Sequence, residues 1–261
     1  MQIIETSSAA AQRLLRKTDA DPVYAVYEVA LANGIEQLRA AQALRYAVFN
    51  LELNEGLDSA HATGLDADKF DLVCDHLIVT ENETGEVVGT YRLQTGANAA
   101  RNFGYYSEQE FDFAPYEPIR DEMIELGRAC VHKAHRNLSV LSLLWGGIAR
   151  YARERGGRYL VGCSSLTSQD ASEGAAVYRQ FESRYLASES LCTLPLPEVA
   201  CPLGTISGNP VRPPKLLSTY LSLGSKIAGP PAIDREFGTI DFLTLFDIHD
   251  LSARSRQMLG L

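Results

Sequence analysis

Residues Glu125–Gly157 read ELGRACVHKAHRNLSVLSLLWGGIARYARERGG, and the fold turns on how this stretch divides. Its first part, together with the preceding DEMI, is an apolar run, and it predicts a buried, central strand over residues 121–133. From Leu138 the apolar residues recur at helical spacing to about Arg155, and Gly156 and Gly157 stop them. A strand, a short turn and a helix together present backbone N–H groups and the positive end of the helix to an anion. The strand also carries two ionisable residues, Glu125 and Arg128. Three apart in an extended chain, their side chains are expected on opposite faces.

The charge of the same stretch is unusual for this protein. From Arg128 to Arg158 there are seven basic residues (Arg128, Lys133, Arg136, Arg150, Arg153, Arg155 and Arg158) against one acid, Glu154, a local +6 in a chain of 261 residues with net charge -9. A positive segment in an acidic protein implies an acidic ligand or partner, and a solvated helix face is the bland alternative. The overall acidity argues against nucleic-acid binding, which needs a basic field. Apolar residues make up 46% of the chain, enough for a sizeable core. The five cysteines include no CxxC pair and read as reduced, mostly buried thiols of a cytoplasmic protein. MQIIETSSAAAQ lacks the pattern of a signal peptide, and the longest nearly apolar run, Ser139 to Ala149, is too short to span a bilayer. Any membrane contact is therefore expected to be peripheral.

Outward from the central stretch, an Ala-rich helix is predicted over residues 1–20, a strand over Val23–Leu31 and a helix over residues 34–54. A polar loop follows, then a hairpin whose strands flank ENETG and its Gly85. A long aromatic loop leads to the central strand and helix. RYLVGCSS predicts a strand, SEGAAVYRQFESRY a helix, residues 192–215 an irregular loop, KLLSTYLSLGSKIAG a helix ended by Gly229, and TIDFLTLFDI a last strand before a short closing helix. The fold class is α/β (α+β): a mixed central sheet with helices on both faces. One domain is expected over 1–261, with a core over about 22–190 and a C-terminal elaboration over about 191–261.

The strand, HRN turn and helix resemble the place where GNAT-fold acyltransferases hold the phosphates of a thioester donor. That family carries a turn of the form R/Q-x-x-G-x-G/A. Here the turn reads Arg136-Asn137-Leu138-Ser139-Val140-Leu141, with neither glycine. The resemblance then implies a donor with a single phosphate, the 4'-phosphopantetheine thioester of acyl carrier protein, ahead of acyl-coenzyme A. AAQALRYAVFNLELNEG, DADKFDLVCDHLIVTE, GTYRLQ, YYSEQEFD, ELGRACVHKAHRN and LLWGGIARYA resemble the hemolysin-like N-acyltransferases that make lyso-ornithine lipid. These are relatives of acyl-homoserine lactone synthases and N-acyl amino acid synthases. The likeness spans about Tyr24 to Gly162 and returns in LSTYLSLGSKIAGPPAIDREFGTIDFL. It implies a GNAT-like, mainly antiparallel sheet. It also implies transfer of a fatty acyl group, with a 3-hydroxyacyl chain allowed, to the amino group of ornithine or another amino acid. No permanently bound cofactor or metal is implied, and localisation is cytoplasmic, with contact at the inner membrane face allowed.

By the same resemblance Glu125 is the base for the attacking amine, a structural ion pair with Arg92 being the alternative, and Arg128 is a buried ion-pair partner. Arg45, Phe49, Asp68, Asp71 and Arg92 order the N-terminal helix and the loop over the acceptor pocket, or meet the acceptor directly. Asp75 belongs to the same motif. Tyr178 is a candidate acid for the departing thiolate, against the alternative of a core tyrosine, since AAVYRQF departs from the family's A-x-x-Y-x-x-x-G-F. Val131, His132, Arg136, Asn137, Arg150 and Arg153 would bind the carrier and its phosphopantetheine, and backbone amides near Cys130 to His132 would hold the oxyanion. His132 and His135 lack a third ligand for a metal. Two alternatives stay open: an acyl-homoserine lactone synthase-like enzyme, although no tryptophan follows Phe49, and a non-catalytic acyl-binding or hemolysin-like protein.

Overall fold

A computed structural model describes residues 22–253 and 255–256. The helix predicted over residues 1–20 lies outside them, and the closing helix lies partly outside. The elements run α1 (Pro22–Val26), β1 (Tyr27–Leu31), α2 (Ile35–Tyr46), a π-helical segment (Ala47–Leu53), α3 (Ala60–Thr63), β2 (Asp75–Glu81), β3 (Val87–Thr95), α4 (Gly96–Arg101), β4 (Met123–Val131), α5 (Leu138–Arg155), β5 (Tyr159–Leu166), α6 (Ala171–Tyr185), α7 (Lys215–Leu223), β6 (Lys226–Ile227), β7 (Ala232–Asp234) and β8 (Thr239–Asp247). The strand predicted from Val23 starts only at Tyr27, because the residues before it coil as α1. The helix predicted to Gly229 stops at Gly224, whose φ of 115° ends α7, and the chain then enters β6.

The eight strands form one sheet in the order β1-β2-β3-β4-β5-β8-β6, with β7 also on β8. Only β4 and β5 are parallel, and the helix α5 crosses between them, as a parallel pair requires. The predicted C-terminal elaboration thus supplies three strands of the same sheet.

Alternation along the central strands sorts the two faces. Leu77 and Val79 of β2, Tyr91 and Leu93 of β3 and Ile124 of β4 join Val140, Leu144, Trp145 and Ile148 of α5 in one apolar core. Gly147 brings α5 close to the sheet, since a Cβ there would lie 2.8 Å from a Leu77 methyl. His76, Thr90, Arg92, Gln94 and Glu125 are buried as well but belong to no apolar cluster. They carry polarity into the interior beneath α2 and the loops after β1 and α4.

Two irregularities open the middle of the sheet. In β4 the register shifts so that Arg128 and Ala129 together face Tyr91, a β-bulge with Arg128 at φ +48°. β4 and β5 pair only from Met123/Tyr159 to Glu125/Val161 and then part. At the parting, a Cβ on Gly162 would meet the Leu126 carbonyl oxygen at 2.1 Å.

Candidate active site

The bulge and the splay border a cavity of about 820 Å³. Its walls come from the π-helical segment (Val48, Phe49, Leu53), β3 and β4, the start of α5 and α7, and the β7–β8 hairpin. A narrower apolar channel of about 90 Å³ continues between β4 and β5 beside Trp145, Leu160 and Phe246. There the hydroxyls of Tyr91 and Tyr220 bond each other.

Glu125 lines the cavity. Three donors hold its carboxylate: Tyr106 N at 2.8 Å on Oε2, and Ser107 N at 2.8 Å and Ser107 Oγ at 2.7 Å on Oε1. Burial pushes its pKa above the carboxylate range, against the pull of these bonds. No ion pair with Arg92 forms, because Arg92 is turned to Asp68 and Asp71.

Arg92 is one corner of a closed ring of alternating charge. Arg45 meets Asp66 at 2.8 Å and Asp71 at 2.5 Å, Arg92 meets Asp71 at 3.0 Å and Asp68 at 2.7 Å, and Arg128 meets Asp68 at 3.1 Å and Asp66 at 3.4 Å. Each of the three aspartates is shared by two of the three arginines, so the ring balances its buried charge. Burial opposes ionisation of Asp71, but Arg45 and Arg92 hold its pKa well below the usual range. His76, buried beside the ring, is depressed to about 4. The family resemblance picked out Arg45, Asp68, Asp71 and Arg92, and Arg128 was expected as a buried ion-pair partner; Asp66 was missed, and its signal was the Asp-Ala-Asp run.

Of the ring, Arg92 and Arg128 line the cavity, whereas Arg45, Asp68 and Asp71 do not. The ring is thus a support behind the wall, and direct acceptor contact by Asp68 and Asp71 does not match their placement. Glu125 and Arg128 were expected on opposite faces yet line one cavity, because the bulge breaks the two-residue alternation between them. The bulge also falls earlier than the Cys130 to His132 expected for the oxyanion amides; it is Arg128 and Ala129 that lack a one-to-one partner.

Tyr178 lines neither cavity. It packs among Val177, Leu217, Leu221 and Ile227 under α6, the core position that its altered motif allowed. At the mouth, Val131, Arg136, Asn137 and Leu138 line the cavity, while His132 turns back to cap Ala134 N. Asn137 caps α5 through Val140 N at 3.0 Å. Arg136 makes a two-pronged pair with Glu52 at 2.5 and 2.8 Å, and Arg136 lowers the Glu52 pKa. Arg150 lies 13 residues along α5 from Asn137, about 20 Å at helical rise, and Arg150 and Arg153 line neither cavity. Nor does the +6 segment form one patch: Arg128, Arg136, Arg155 and Arg158 pair with acids from other elements.

The far wall is acidic. Asp234, Asp241 and Glu55 line it with Cys163, Ser164 and Ser165. Asp234 accepts from Tyr106 Oη at 2.9 Å and from the amides of Glu236 and Phe237. Behind Cys163, at 3.9 Å from its sulfur, stands Glu110. Burial pushes Asp241 up to about 6 and Glu110 well above its usual range, each raised further by neighbouring carboxylates. Glu110, Cys163 and Asp241 form a set whose ligand atoms lie within 4.8 Å of one another. None of the three was singled out from the sequence as a site residue, although YYSEQEFD and PPAIDREFGTIDFL contain Ser107, Glu110, Asp234 and Asp241. His132 and His135 join no such set among the described residues; His135 instead meets Tyr27 Oη at 3.0 Å.

Comparison with known proteins fits this geometry. A family model described as an acetyltransferase (GNAT) domain matches residues 44–146. The L-ornithine N(alpha)-acyltransferase of Rhodobacter capsulatus is 31% identical over 246 residues, covering 88% of this chain and 93% of that protein. Among solved structures, FeeM, an N-acyl amino acid synthase from uncultured soil microbes, superposes with a TM-score of 0.52 at 11% identity, covering 88% of this chain and 97% of that one. The acyl-homoserine lactone synthase LasI superposes with 0.51 at 13% identity, covering 90% and 93%. These two likenesses establish the fold: GNAT-like, mixed and mainly antiparallel, as expected.

Proposed function

The chain belongs to the family of L-ornithine N(alpha)-acyltransferases, and from that premise we propose that this acyltransferase moves a fatty acyl group from an acyl carrier protein thioester to the α-amino group of ornithine, forming a single-chain N-acyl amino acid. One observation carries the reading. A single cavity joins a carboxylate of raised pKa, Glu125, to a strand bulge, an apolar channel and a mouth at the start of α5.

The chemistry follows from those parts. An ammonium has no lone pair, so the acceptor must lose a proton before it attacks the thioester carbon. Glu125 takes it, directly or through a water. Its Oε2 carries one donor bond, from Tyr106 N, and keeps acceptor capacity for an amine proton. Nitrogen–carbon bond formation moves an electron pair onto the carbonyl oxygen, and the amides of the bulged Arg128 and Ala129 stabilise that charge. Collapse re-forms the carbonyl and breaks the carbon–sulfur bond; the new amide nitrogen sheds its second proton to solvent, and the thiolate leaves with a proton returned from Glu125 or solvent. The acyl chain lies in the apolar cavity, whose Phe49, Leu53, Leu141 and Leu144 give it a lining. Arg136, with Lys133 beside it in sequence, meets the single phosphate of the carrier arm at the mouth. The exposed Leu53 and Leu138, which line the cavity, favour release of the lipid product to a membrane surface. No helix among the described residues is long and apolar enough to cross a membrane.

The test is thiol release with mass detection of the product, using purified protein, ornithine and either acyl carrier protein or coenzyme A thioesters. Acylated ornithine is expected, with the carrier donor preferred. Glu125→Gln is expected to lower kcat by about 100-fold or more while the protein stays folded. A Glu125→Gln variant of undiminished kcat would remove the base from the mechanism.

A further inference from the structure

We infer that Asp241 on the acidic wall, backed by Glu110 behind Cys163, is a specificity site for a cationic side chain on the acceptor, where it receives the terminal ammonium of ornithine. The inference rests on the acyl-transfer reading above and adds what makes the acceptor a diamine.

The observation that points to a ligand is a pair of orphaned atoms. Asp241 is 3% exposed and Glu110 4%, and neither Oδ1 of Asp241 nor Oε1 of Glu110 has a hydrogen-bond partner. Buried carboxylate oxygens ordinarily have partners, because leaving one unmet costs its full desolvation. Asp241 lines the cavity itself. The nearby Asp234 differs, since both of its oxygens are engaged, so it fixes the hairpin and is not free for a ligand.

The position suits a diamine. The turn Tyr106–Gln109 gives its amides and Ser107 Oγ to Glu125 at one end and leads directly into Glu110 at the other. Ser107 Oγ lies 3.4 Å from Cys163 Sγ, which lies 3.9 Å from Glu110 Oε2. The base for one amine and the acidic wall are thus linked through two side chains, and a short aliphatic chain spans that kind of separation. On the ring side, Arg92 and Arg128 face the same cavity and offer guanidinium N–H groups to the acceptor's carboxylate. The ammonium brings three donors to the cavity-lining Asp241 and one positive charge to the buried Asp241–Glu110 pair. A metal ion is the rival occupant of Glu110, Cys163 and Asp241. It is disfavoured because burial and the adjacent Glu110 push the Cys163 thiol well above its usual range, and the thiolate is the metal-binding form.

The experiment compares ornithine with norvaline, which keeps the five-carbon skeleton and lacks the terminal amine, in the wild-type protein, Asp241→Asn and Glu110→Gln. The wild type is expected to favour ornithine in kcat/KM by on the order of 10- to 100-fold, the worth of a hydrogen bond to a charged group. In Asp241→Asn the ratio is expected to fall towards one, with norvaline still acylated. Glu110→Gln supplies a second reading if either variant folds poorly, and thermal melts report folding. Equal use of ornithine and norvaline by the wild type, or an unchanged ratio in both variants, overturns the inference and leaves acyl transfer standing. A ratio lost on chelation and restored by a divalent metal gives the cluster to a metal and also overturns it. No thiol release with any amino acid would instead remove the acyl-transfer reading.

Discussion

Asp241 couples function to stability at the scale of one residue. Its pKa of about 6 lies above the ordinary aspartate value of about 3.9, so the folded state keeps a proton that the unfolded chain releases. Stability from this group is therefore complete below about pH 3.9 and falls as pH rises through about 6. Burial sets this rise, Asp234 and Glu110 add to it, and the nearby Ser165 and Thr239 hydroxyls and Arg128 offset it in part without meeting Oδ1. Asp241→Asn removes the buried charge, so it is expected to unfold at higher temperature than the wild type at pH 7, by on the order of 1–3 kcal/mol. The gain should vanish near pH 4, and melts at the two pH values read the difference. A variant less stable at pH 7 would mean that Asp241 is satisfied in the empty protein. This is a residue kept at a cost to stability, as binding sites commonly are. Nothing in the local sequence marks it, since TIDFL reads as an ordinary buried strand; its meaning comes from Glu110, which is 131 positions away.

At the scale of elements, the site is made by what β4 and β5 fail to do. Three residue pairs hold them together, and then the strands part around Gly162 and the Leu126 carbonyl. Gly162→Ala puts a methyl group 2.1 Å from that oxygen, and backbone must move to admit it. The expected result is destabilisation on the order of 1–3 kcal/mol, with loss of acyl transfer as the channel deforms. Denaturant unfolding and the thiol-release rate check both, and a fully active, equally stable Gly162→Ala would show that the parting of the strands is not needed. The bulge is the second such device. It reverses the side of Arg128, brings it onto the cavity of Glu125, and is held by Asp66, Asp68 and the Tyr106 and Phe237 rings. The helix α5 was legible from its apolar spacing and its terminal glycine, while its Asn137 cap came with the structure. The bulge was not, because one extra residue in a strand leaves no mark on a run such as ELGRACV.

Over the whole molecule, charge is arranged by tertiary pairing more than by local composition. The protein carries -9, and an acidic carrier is repelled by it at long range, so recognition depends on what the cavity mouth presents. There Arg136 is already engaged by Glu52, and a phosphate has to compete with that carboxylate. Glu52→Gln is expected to lower KM for the carrier-borne donor by about 2- to 10-fold, and Arg136→Ala to raise it by a similar factor, the range of a screened, half-exposed pair. Both effects should shrink at high salt. Steady-state rates at two ionic strengths decide the matter, and a donor KM indifferent to both substitutions would detach Arg136 from the carrier. Arg150 and Arg153 on the later turns of α5 are expected to leave that constant unchanged.

The sequence by itself determined the fold class, the central strand and the helix after it, because apolar periodicity and glycine stops are local properties of the chain. It also marked Glu125 and Arg128, ionisable residues inside an apolar run, and the family resemblance marked Arg45, Asp68, Asp71 and Arg92 of the buried charge ring. Only the tertiary structure decided which of them meet the cavity, that Tyr178 packs in a core, that most of the basic segment is neutralised from elsewhere, and that Asp241 and Glu110 come together beside Cys163. The reason is physical: periodicity is set by a residue and its near neighbours, whereas burial, pairing and an unmet hydrogen bond depend on groups that folding brings together from distant parts of the chain.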